Sequence, residues 1–284
     1  MRIREFSSAS DFLEFALPHL EENEAANNLI IGLAFRLVNQ PEIYPLKPFL
    51  AVAEEDDRPV FAALMTPPHL IILAAFSAEA SQGYPLLIQV LRAGSWKVPG
   101  VRAPSEVAVD FAACWSENSG ARLRTGQHMR VYELFKVIPA RPVSGEMRLA
   151  NNTDLEIASK WNTEFNQEAL GEDDPEGSRR NIEFKIQNHE LYLWVDEQPV
   201  SMAAAIRPTR HGIVIGGVYT PPSLRNRGYA SALVAALSQR KLDSGYQFLS
   251  LFTNLANPTS NKIYQEVGYK PVCDFKEIYF DPPA

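Results

Sequence analysis

The sequence predicts an α/β (α+β) fold with two similar domains, each a mixed central sheet flanked by helices. The first of three supporting observations is size, because 284 residues with 46% hydrophobic side chains are enough for two ordinary cores. The second is VIPARPVSGE (137–146), whose two prolines and one glycine are typical of a linker. The third is that the elements predicted on either side follow the same order. We therefore divide the chain into domains 1–141 and 142–284.

The first domain is predicted to begin with two helices and to continue with three strands. The strands lie within FLAVAEEDDRPVFAALMTPPHLIILAAF (49–76), where the acidic EEDDRP is a hairpin connection between two apolar runs. Apolar residues at helical spacing predict two further helices, and a final apolar run predicts a strand. The predicted helices are 8–20, 22–38, 84–93 and 104–117, and the final strand is 128–136.

The second domain repeats this order. Its three strands lie within ELYLWVDEQPVSMAAAIRPTRHGIVIGGVYT (190–220), with DEQP and RPTRHG as turns. A long helix follows, because Ala230, Leu233, Val234 and Leu237 fall at the spacing of one helical face. The predicted helices are 152–170, 176–188, 228–242 and 258–267, the strand FLSLFTN is 248–254, and a closing strand pair spans 269–280.

Charge and cysteine usage exclude several classes of partner. The net charge of −7 gives no reason to expect nucleic acid or an anionic membrane as a partner. Cys114 and Cys273 lie far apart and have no CxxC or histidine spacing, so we expect reduced thiols, a cytoplasmic location and no metal. The N-terminus has no apolar run of signal-peptide length, and the runs 29–38 and 70–76 are too short to span a bilayer.

The turn that precedes the long helix predicts an anion site. The strand IVIGGVYT (213–220) contains two adjacent glycines, which commonly mark a bulge or a close approach to the backbone. The turn PPSLRNRG (221–228) then leads onto a helix start, where unsatisfied N–H groups attract anions. Gly228 and Ala230 keep this start open.

The charges around this turn are one-sided. Arg225 and Arg227 flank the helix start, and residues 198–242 contain no Asp or Glu although the chain is acidic overall. This distribution favours a phosphate pocket. The alternative is an ordinary joint between a strand and a helix, with solvated arginines.

Two motifs in register resemble the GNAT acyltransferases. R-N-R-G-Y-A (225–230) matches the R/Q-x-x-G-x-G/A signature of that family. About 30 residues further on, NPTSNKIYQEVGYKPV is similar to its second segment, with Asn257, Ser260, Ile263, Tyr264, Gly268 and Tyr269 in register. The resemblance covers residues 146–284. Residues before 146 resemble a tandem GNAT protein with a degenerate N-terminal half in element order only.

The resemblance implies an acetyl-CoA-dependent N-acetyltransferase that acts on a primary amine of a small molecule or peptide. It implies that Tyr264 protonates the departing thiolate, although this tyrosine could instead be a core aromatic. Asn257 is also a good helix cap, with Pro258 at the first helical position and Gly268 at the end. The implied acetyl-CoA site comprises Val218, Tyr219 and Thr220 for the pantetheine arm, Arg225, Asn226, Arg227, Gly228, Tyr229 and Ala230 for the pyrophosphate, and Asn257.

The general base and the acceptor stay open at this point. Many relatives carry a glutamate near the bulged strand, but IVIGGVYT has none, and His211 lies in a turn. The candidates are Glu164 and Glu168 in the first helix of the second domain and the run 172–174, which is more typical of a solvated loop. A chain of water molecules is a further alternative.

The first domain lacks both motifs. The segment SAEASQGYPLLIQVL (77–91) has no arginine-bearing loop, so we predict that this half does not bind acetyl-CoA. Two other functions stay open for the whole chain, a non-catalytic acyl-CoA-binding regulatory module and an aminoacyl-tRNA-dependent transferase like the Fem proteins. The phosphate loop and the acidic balance argue against the tRNA-dependent class. The sequence predicts no oligomeric state.

Overall fold

The computed structural model describes residues 1–171 and 173–283. The chain forms two compact units, one of Met1–Val131 with the C-terminal residues from Val272 on, and one of Tyr132–Pro271. These compact units do not test the predicted domain boundary between residues 141 and 142, which stays a prediction. Among the described helices, none is long and apolar enough to cross a membrane.

The strands and helices alternate much as expected. The strands are β1 (Arg2–Glu5), β2 (Phe49–Glu55), β3 (Arg58–Met65), β4 (Ile71–Ala75), β5 (Gly100–Pro104), β6 (Arg122–Leu134), β7 (Glu146–Leu149), β8 (Leu191–Asp196), β9 (Gln198–Ile206), β10 (Gly212–Tyr219), β11 (Phe248–Asn254) and β12 (Lys270–Asp281). The helices are α1 (Ala9–Glu21), α2 (Asn28–Asn39), α3 (Tyr84–Ala93), α4 (Ser105–Ser119), α5 (Leu155–Leu170), α6 (Pro175–Gln187), α7 (Tyr229–Asp243) and α8 (Pro258–Val267).

Several predicted elements differ from the structure, and the strands β1, β5 and β7 were not predicted. The strand β5 was missed because it is short and flanked by glycine and proline, and it forms by antiparallel pairing with β12, from Phe275 opposite Pro104 to Tyr279 opposite Gly100. The closing strand pair is the single strand β12, in which Asp274 is a strand residue bound to Arg130 at 2.6 Å. The second helix begins at Asn28 rather than 22, after a turn in which the Asn27 amide donates to the carbonyl of Leu20.

The first unit orders its strands as β1-β2-β3-β4-β5-β12, and helices cover the sheet. Its core includes a row of aromatic rings packed edge to face. The ring of Tyr84 lies 5.4 Å from that of Phe61 and 5.5 Å from that of Phe111, measured between centroids. All three side chains are buried, so this row fills the space between α3, α4 and the sheet.

The second unit orders its strands as β11-β10-β9-β8-β7 and has a core on each face of the sheet. Successive side chains of β8 point to opposite faces, as in any strand. Tyr192 and Trp194 pack with α7 and α8, whereas Leu193 packs with α5 and α6. The two helix pairs therefore cover opposite faces.

Tyr132, at the end of β6, holds α8 in place within the second unit. Its side chain is fully buried, and its hydroxyl donates to Asn261 Oδ1 at 3.0 Å. The hydroxyl oxygen of Tyr132 also accepts from Gln265 Nε2 at 3.2 Å. Two residues of α8 one turn apart are thus tied to one tyrosine.

Candidate functional site in the second unit

The end of β10 is bulged, as the glycine pair predicts. Gly216 pairs with Ala204 of β9 and Tyr219 pairs with Met202, so β10 uses three steps where β9 uses two. Gly217 lies in this bulge with φ of 59°, a conformation that favours glycine. The peptide groups of the bulge are therefore not used by the β9 ladder.

The other edge of β10 is unpaired over the same stretch. Within the described residues, its parallel pairing with β11 runs only from Gly212–Phe248 to Val214–Ser250. Beyond Val214 the two strands share no ladder, and residues 216–218 are half-exposed. This region of the sheet can accept an extended ligand between two strands.

The loop 220–228 leads from β10 to the start of α7, which has no side-chain cap. Asn226 and Gly228 both have left-handed backbone conformations, with φ of 64° and 88°. Helix α7 has no side-chain cap, and its first helical hydrogen bond runs from Ala232 N to Gly228 O at 3.0 Å. The N–H groups of Tyr229, Ala230 and the residue that follows have no partner within the helix and can bind an anion.

Gly228 cannot be replaced without strain at this helix start. Its backbone is left-handed, and a Cβ atom built on it lies only 2.9 Å from Val143 Cγ1. The residue is therefore glycine for both conformational and steric reasons.

The two arginines of the loop are placed differently from one another. Arg227 is exposed and donates to the carbonyl of Ser223 at 3.3 Å. Arg225 is held by other groups of the protein, because its Nε donates to Thr220 O at 2.9 Å and its Nη2 lies 2.8 Å from each carboxylate oxygen of Glu168. Of these two arginines, Arg225 is ion-paired to a carboxylate, whereas Arg227 has no ion pair among the described residues.

An acidic residue outside the predicted site fixes the first residue of α7. Asp196 Oδ2 accepts from the Tyr229 hydroxyl at 2.6 Å and from Ser144 Oγ at 2.7 Å. These hydrogen bonds lower the pKa of the Asp196 carboxyl below its usual value. Sequence reasoning missed Asp196, because its only sequence context is a turn that ends a strand.

The two predicted carboxylates of α5 lie one turn apart and have different partners. Glu164 accepts from the Tyr219 hydroxyl at 2.9 Å, and Lys160 Nζ lies 3.9 Å from its other oxygen. Burial, followed by Glu164, raises the pKa of Tyr219 well above its usual value. Glu168 is engaged by Arg225. The structure therefore brings Glu164 to the bulged end of β10.

Tyr264 combines a buried ring with an unengaged hydroxyl. Its side chain is 8% exposed and packs edge to face on Tyr269, with ring centroids 6.0 Å apart. Burial raises its pKa to about 12. Within the described part of the chain its hydroxyl makes no hydrogen bond, whereas that of Tyr269 is bonded to Ser238 at 2.9 Å. Tyr264 thus keeps its proton at neutral pH and has it available to a ligand.

The predicted cap of the Tyr264 helix is confirmed. Asn257 Oδ1 accepts from Ser260 N at 3.0 Å, Pro258 is the first helical residue, and Gly268 ends the helix with φ of 108°. Its side-chain oxygen is thereby committed to the helix, so contact with a ligand falls to its remaining groups.

The remaining candidates for a base are His211 and the run 172–174. His211 precedes the first residue of β10, and the strand from Gly212 to Tyr219 is extended for about 20 Å. Of the run 172–174, Glu172 lies outside the described residues, and Asp174 caps α6 by accepting from Gly177 N at 2.8 Å. Across residues 1–171 and 173–283, no group of three His, Cys, Asp or Glu could hold a metal ion.

Comparison with known proteins finds similarity within the second unit. Residues 156–269 match the model of the acetyltransferase (GNAT) family, whereas no curated protein matches the chain. Solved structures share the fold over nearly the whole chain at low identity. They include a Drosophila protein (12% identity, 99% of each chain, TM-score 0.71), a tandem GNAT protein from the clavulanic acid biosynthesis pathway (12%, 100% of this chain and 98% of that one, 0.63) and a GCN5-related N-acetyltransferase from Sphaerobacter thermophilus (16%, 100% and 97%, 0.62). Residues 156–269, within the second unit, are therefore similar to the acetyltransferase (GNAT) family, and the chain shares the fold of a tandem GNAT protein.

Proposed function

We propose that this protein is an acetyl-CoA-dependent N-acetyltransferase that acts on the primary amine of a small molecule or peptide. The observation that carries the proposal is the junction of β10 and α7, where a bulged strand edge runs into an uncapped helix start. The family match over 156–269 supports acyl transfer. Acetyl-CoA supplies the acetyl group as a thioester.

The backbone around the bulge holds the pantetheine arm. The carbonyls of Tyr219 and Thr220 are occupied by Ser201 Oγ at 3.0 Å and Arg225 Nε at 2.9 Å. The peptide groups of Gly217 and Val218 are therefore the ones that face the donor, and a peptide N–H there polarises the thioester carbonyl.

The start of α7 holds the pyrophosphate. The N–H groups at Gly228, Tyr229 and Ala230 donate to the phosphate oxygens, and Arg227 adds formal positive charge. Asn226 has a left-handed backbone that turns the loop toward these donors. The residues present thus fit a diphosphate, because the site combines backbone donors, a glycine floor and a cation.

Two side chains handle the protons. Tyr264, whose hydroxyl is protonated at neutral pH, donates its proton to the leaving thiolate. Glu164, held by Tyr219, takes up the acceptor amine as an ammonium and accepts its proton. The neutral amine then attacks the thioester carbonyl and the C–S bond breaks, with proximity of the two held substrates favouring the attack. The new amide nitrogen releases its second proton to solvent, and Tyr264 regains its proton from solvent.

The test measures donor binding and acyl transfer separately. Binding of acetyl-CoA is measured by titration calorimetry, and release of the CoA thiol is followed with a panel of polyamines, amino acids, aminoglycosides and peptides with free N-termini. Thiol release without amine is the control for hydrolysis.

The three outcomes separate the candidate functions. Binding with amine-dependent thiol release supports the proposal. Tight binding without release from any amine overturns it in favour of the acyl-CoA-binding regulatory module. Absence of acetyl-CoA binding overturns both the acetyltransferase and the regulatory module, and leaves the aminoacyl-tRNA-dependent transferase as the candidate function.

A further inference from the structure

We infer that Arg225 and Glu168 form a positioning pair that fastens the phosphate loop to α5, and that Arg225 does not itself bind the pyrophosphate. This inference rests on the proposed function, because it assigns the loop a ligand. It reverses the role that the loop motif suggests for Arg225 and assigns Glu168 to the donor site rather than to the acceptor.

The contacts of Arg225 account for most of its hydrogen-bonding capacity. Nε donates to Thr220 O at 2.9 Å, and Nη2 lies 2.8 Å from both oxygens of Glu168. The guanidinium carbon also lies 5.6 Å from the centre of the Tyr219 ring. The Arg225 side chain is thereby fixed between the end of β10 and the C-terminal end of α5.

These contacts close the loop on itself. The bond from Arg225 to Thr220 joins the two ends of the segment 220–225, and the ion pair to Glu168 anchors that closed segment to a helix packed on the same sheet. Asn226, in its left-handed conformation, follows directly and leads to Gly228. The orientation of the N–H groups at the helix start therefore depends on where Arg225 is held.

Electrostatics favours positioning over phosphate binding. Glu168 neutralises Arg225, and a phosphate at the same guanidinium would lie beside this carboxylate and be repelled by it. The two roles predict opposite signs for Glu168→Gln. If Arg225 positions the loop, loss of the carboxylate loosens the loop and weakens acetyl-CoA binding. If Arg225 binds phosphate, the same change frees the guanidinium and strengthens binding.

The experiment compares Glu168→Gln with a matched control on the same helix. Glu156→Gln removes an ion pair of α5 to Arg179 of α6, at 2.6 Å, which has no contact with the loop. Because both side chains of the Arg225–Glu168 pair are about half-exposed, we expect Glu168→Gln to raise the Kd for acetyl-CoA by about 3- to 5-fold. Arg225→Ala also loses the bond to Thr220, so its effect is about 10-fold. Glu156→Gln leaves the Kd unchanged.

Two further readouts separate positioning from a general structural effect. S-acetylpantetheine lacks the phosphates, so its binding, followed by NMR titration, does not change in Glu168→Gln or Arg225→Ala. Amide hydrogen exchange of residues 221–231 in the ligand-free protein accelerates in both variants and not in Glu156→Gln. The charge-swapped double variant Arg225→Glu/Glu168→Arg recovers part of the lost affinity.

The results that overturn the inference are distinct from those that overturn the proposed function. Unchanged or tighter acetyl-CoA binding by Glu168→Gln overturns the positioning role while the wild-type protein still binds. If wild-type protein does not bind acetyl-CoA, the proposed function fails, and hydrogen exchange still tests the pair. In that case, unaltered hydrogen exchange of residues 221–231 in Glu168→Gln overturns the positioning role of the pair.

Discussion

Each unit contains a strand that is paired with a parallel neighbour only over its first residues and is followed by a helix. The start of that helix has different chemistry in the two units. In the first unit, β4 pairs with β5 only at Ile71 and Ile72, and in the second, β10 pairs with β11 only to Val214. The opening between parallel strands is thus common to both units. The difference lies in the helices that follow, α3 and α7.

The start of α3 has no room and few donors for an anion. A Cβ at Gly83 would lie 2.6 Å from Met1 Sδ and 2.7 Å from Phe61 Cε1, so core side chains fill this position. The N–H of Tyr84 donates to Ser81 O, and the next residue, Pro85, has no N–H. Within the described residues, the first N–H groups of α7 have no such partner, and Arg227 lies in the loop that precedes them. We therefore expect an anion site in this fold only where the local sequence leaves backbone donors unpaired and the space beside the helix start open.

The largest expected effect on the difference between the two units comes from changing Gly228. We expect Gly228→Glu to weaken acetyl-CoA binding on the order of 1000-fold, because it combines left-handed strain, a clash with Val143 and a carboxylate facing the pyrophosphate. The control is Gly245→Glu at the other end of α7, where φ is 107° and nothing lies within 4 Å of the added Cβ. Titration calorimetry measures both. Residual stoichiometric binding by Gly228→Glu would show a second site and contradict the assignment of donor binding to the second unit alone.

The core of the first unit provides the converse test. Phe111→Ala removes a fully buried ring that contacts Tyr84, Trp115 and Phe280, so we expect a loss of about 3–5 kcal/mol in the free energy of unfolding. Denaturant unfolding measures this loss. Acetyl-CoA affinity, measured where the variant is folded, stays unchanged. A parallel loss of affinity would assign the first unit a part in donor binding.

The chemical step is expected to depend on one hydroxyl in the second unit. Tyr264→Phe keeps the buried ring and removes the proton donor, so kcat falls about 100-fold while the KM for acetyl-CoA is unchanged. Tyr269→Phe, in the same aromatic pair, loses only its bond to Ser238 and serves as the control in the steady-state assay. Equal kcat values for Tyr264→Phe and the wild type would leave Tyr264 as a core aromatic.

Alkaline pH sharpens the comparison, because each unit buries one tyrosine whose pKa is raised to about 12. Burial is the main cause for both Tyr84 and Tyr264. The unfolded chain ionises first, near pKa 10, so the stabilisation is complete below about pH 10 and is lost as the pH rises to about 12. Each tyrosine then accounts for about 1.4 kcal/mol lost near pH 11. Tyr84→Phe and Tyr264→Phe each flatten this decline in denaturant unfolding; a decline unchanged in both would show that other groups cause it.

Local signals account for what the sequence could predict. The bulge at Gly216 and Gly217, the glycine at the start of α7 and the cap and stop of α8 all depend on neighbouring residues, and the structure has each of them. The placement of Arg225 could not be predicted, because its partner Glu168 lies 57 residues away on another element. The short strand β5 was missed because it is defined by pairing with other strands, parallel to β4 and antiparallel to the distant β12.

The contacts of Tyr132 decide where the second half can be cut from the rest of the chain. A fragment that starts at 142, where the linker prolines would suggest a cut, leaves this tyrosine behind. The amides of Asn261 and Gln265 then lose their shared hydroxyl, and a large buried ring leaves the core beside the helix that carries Tyr264. Fusions, truncations and domain exchanges built from this protein therefore have to begin the second half at Tyr132 or earlier.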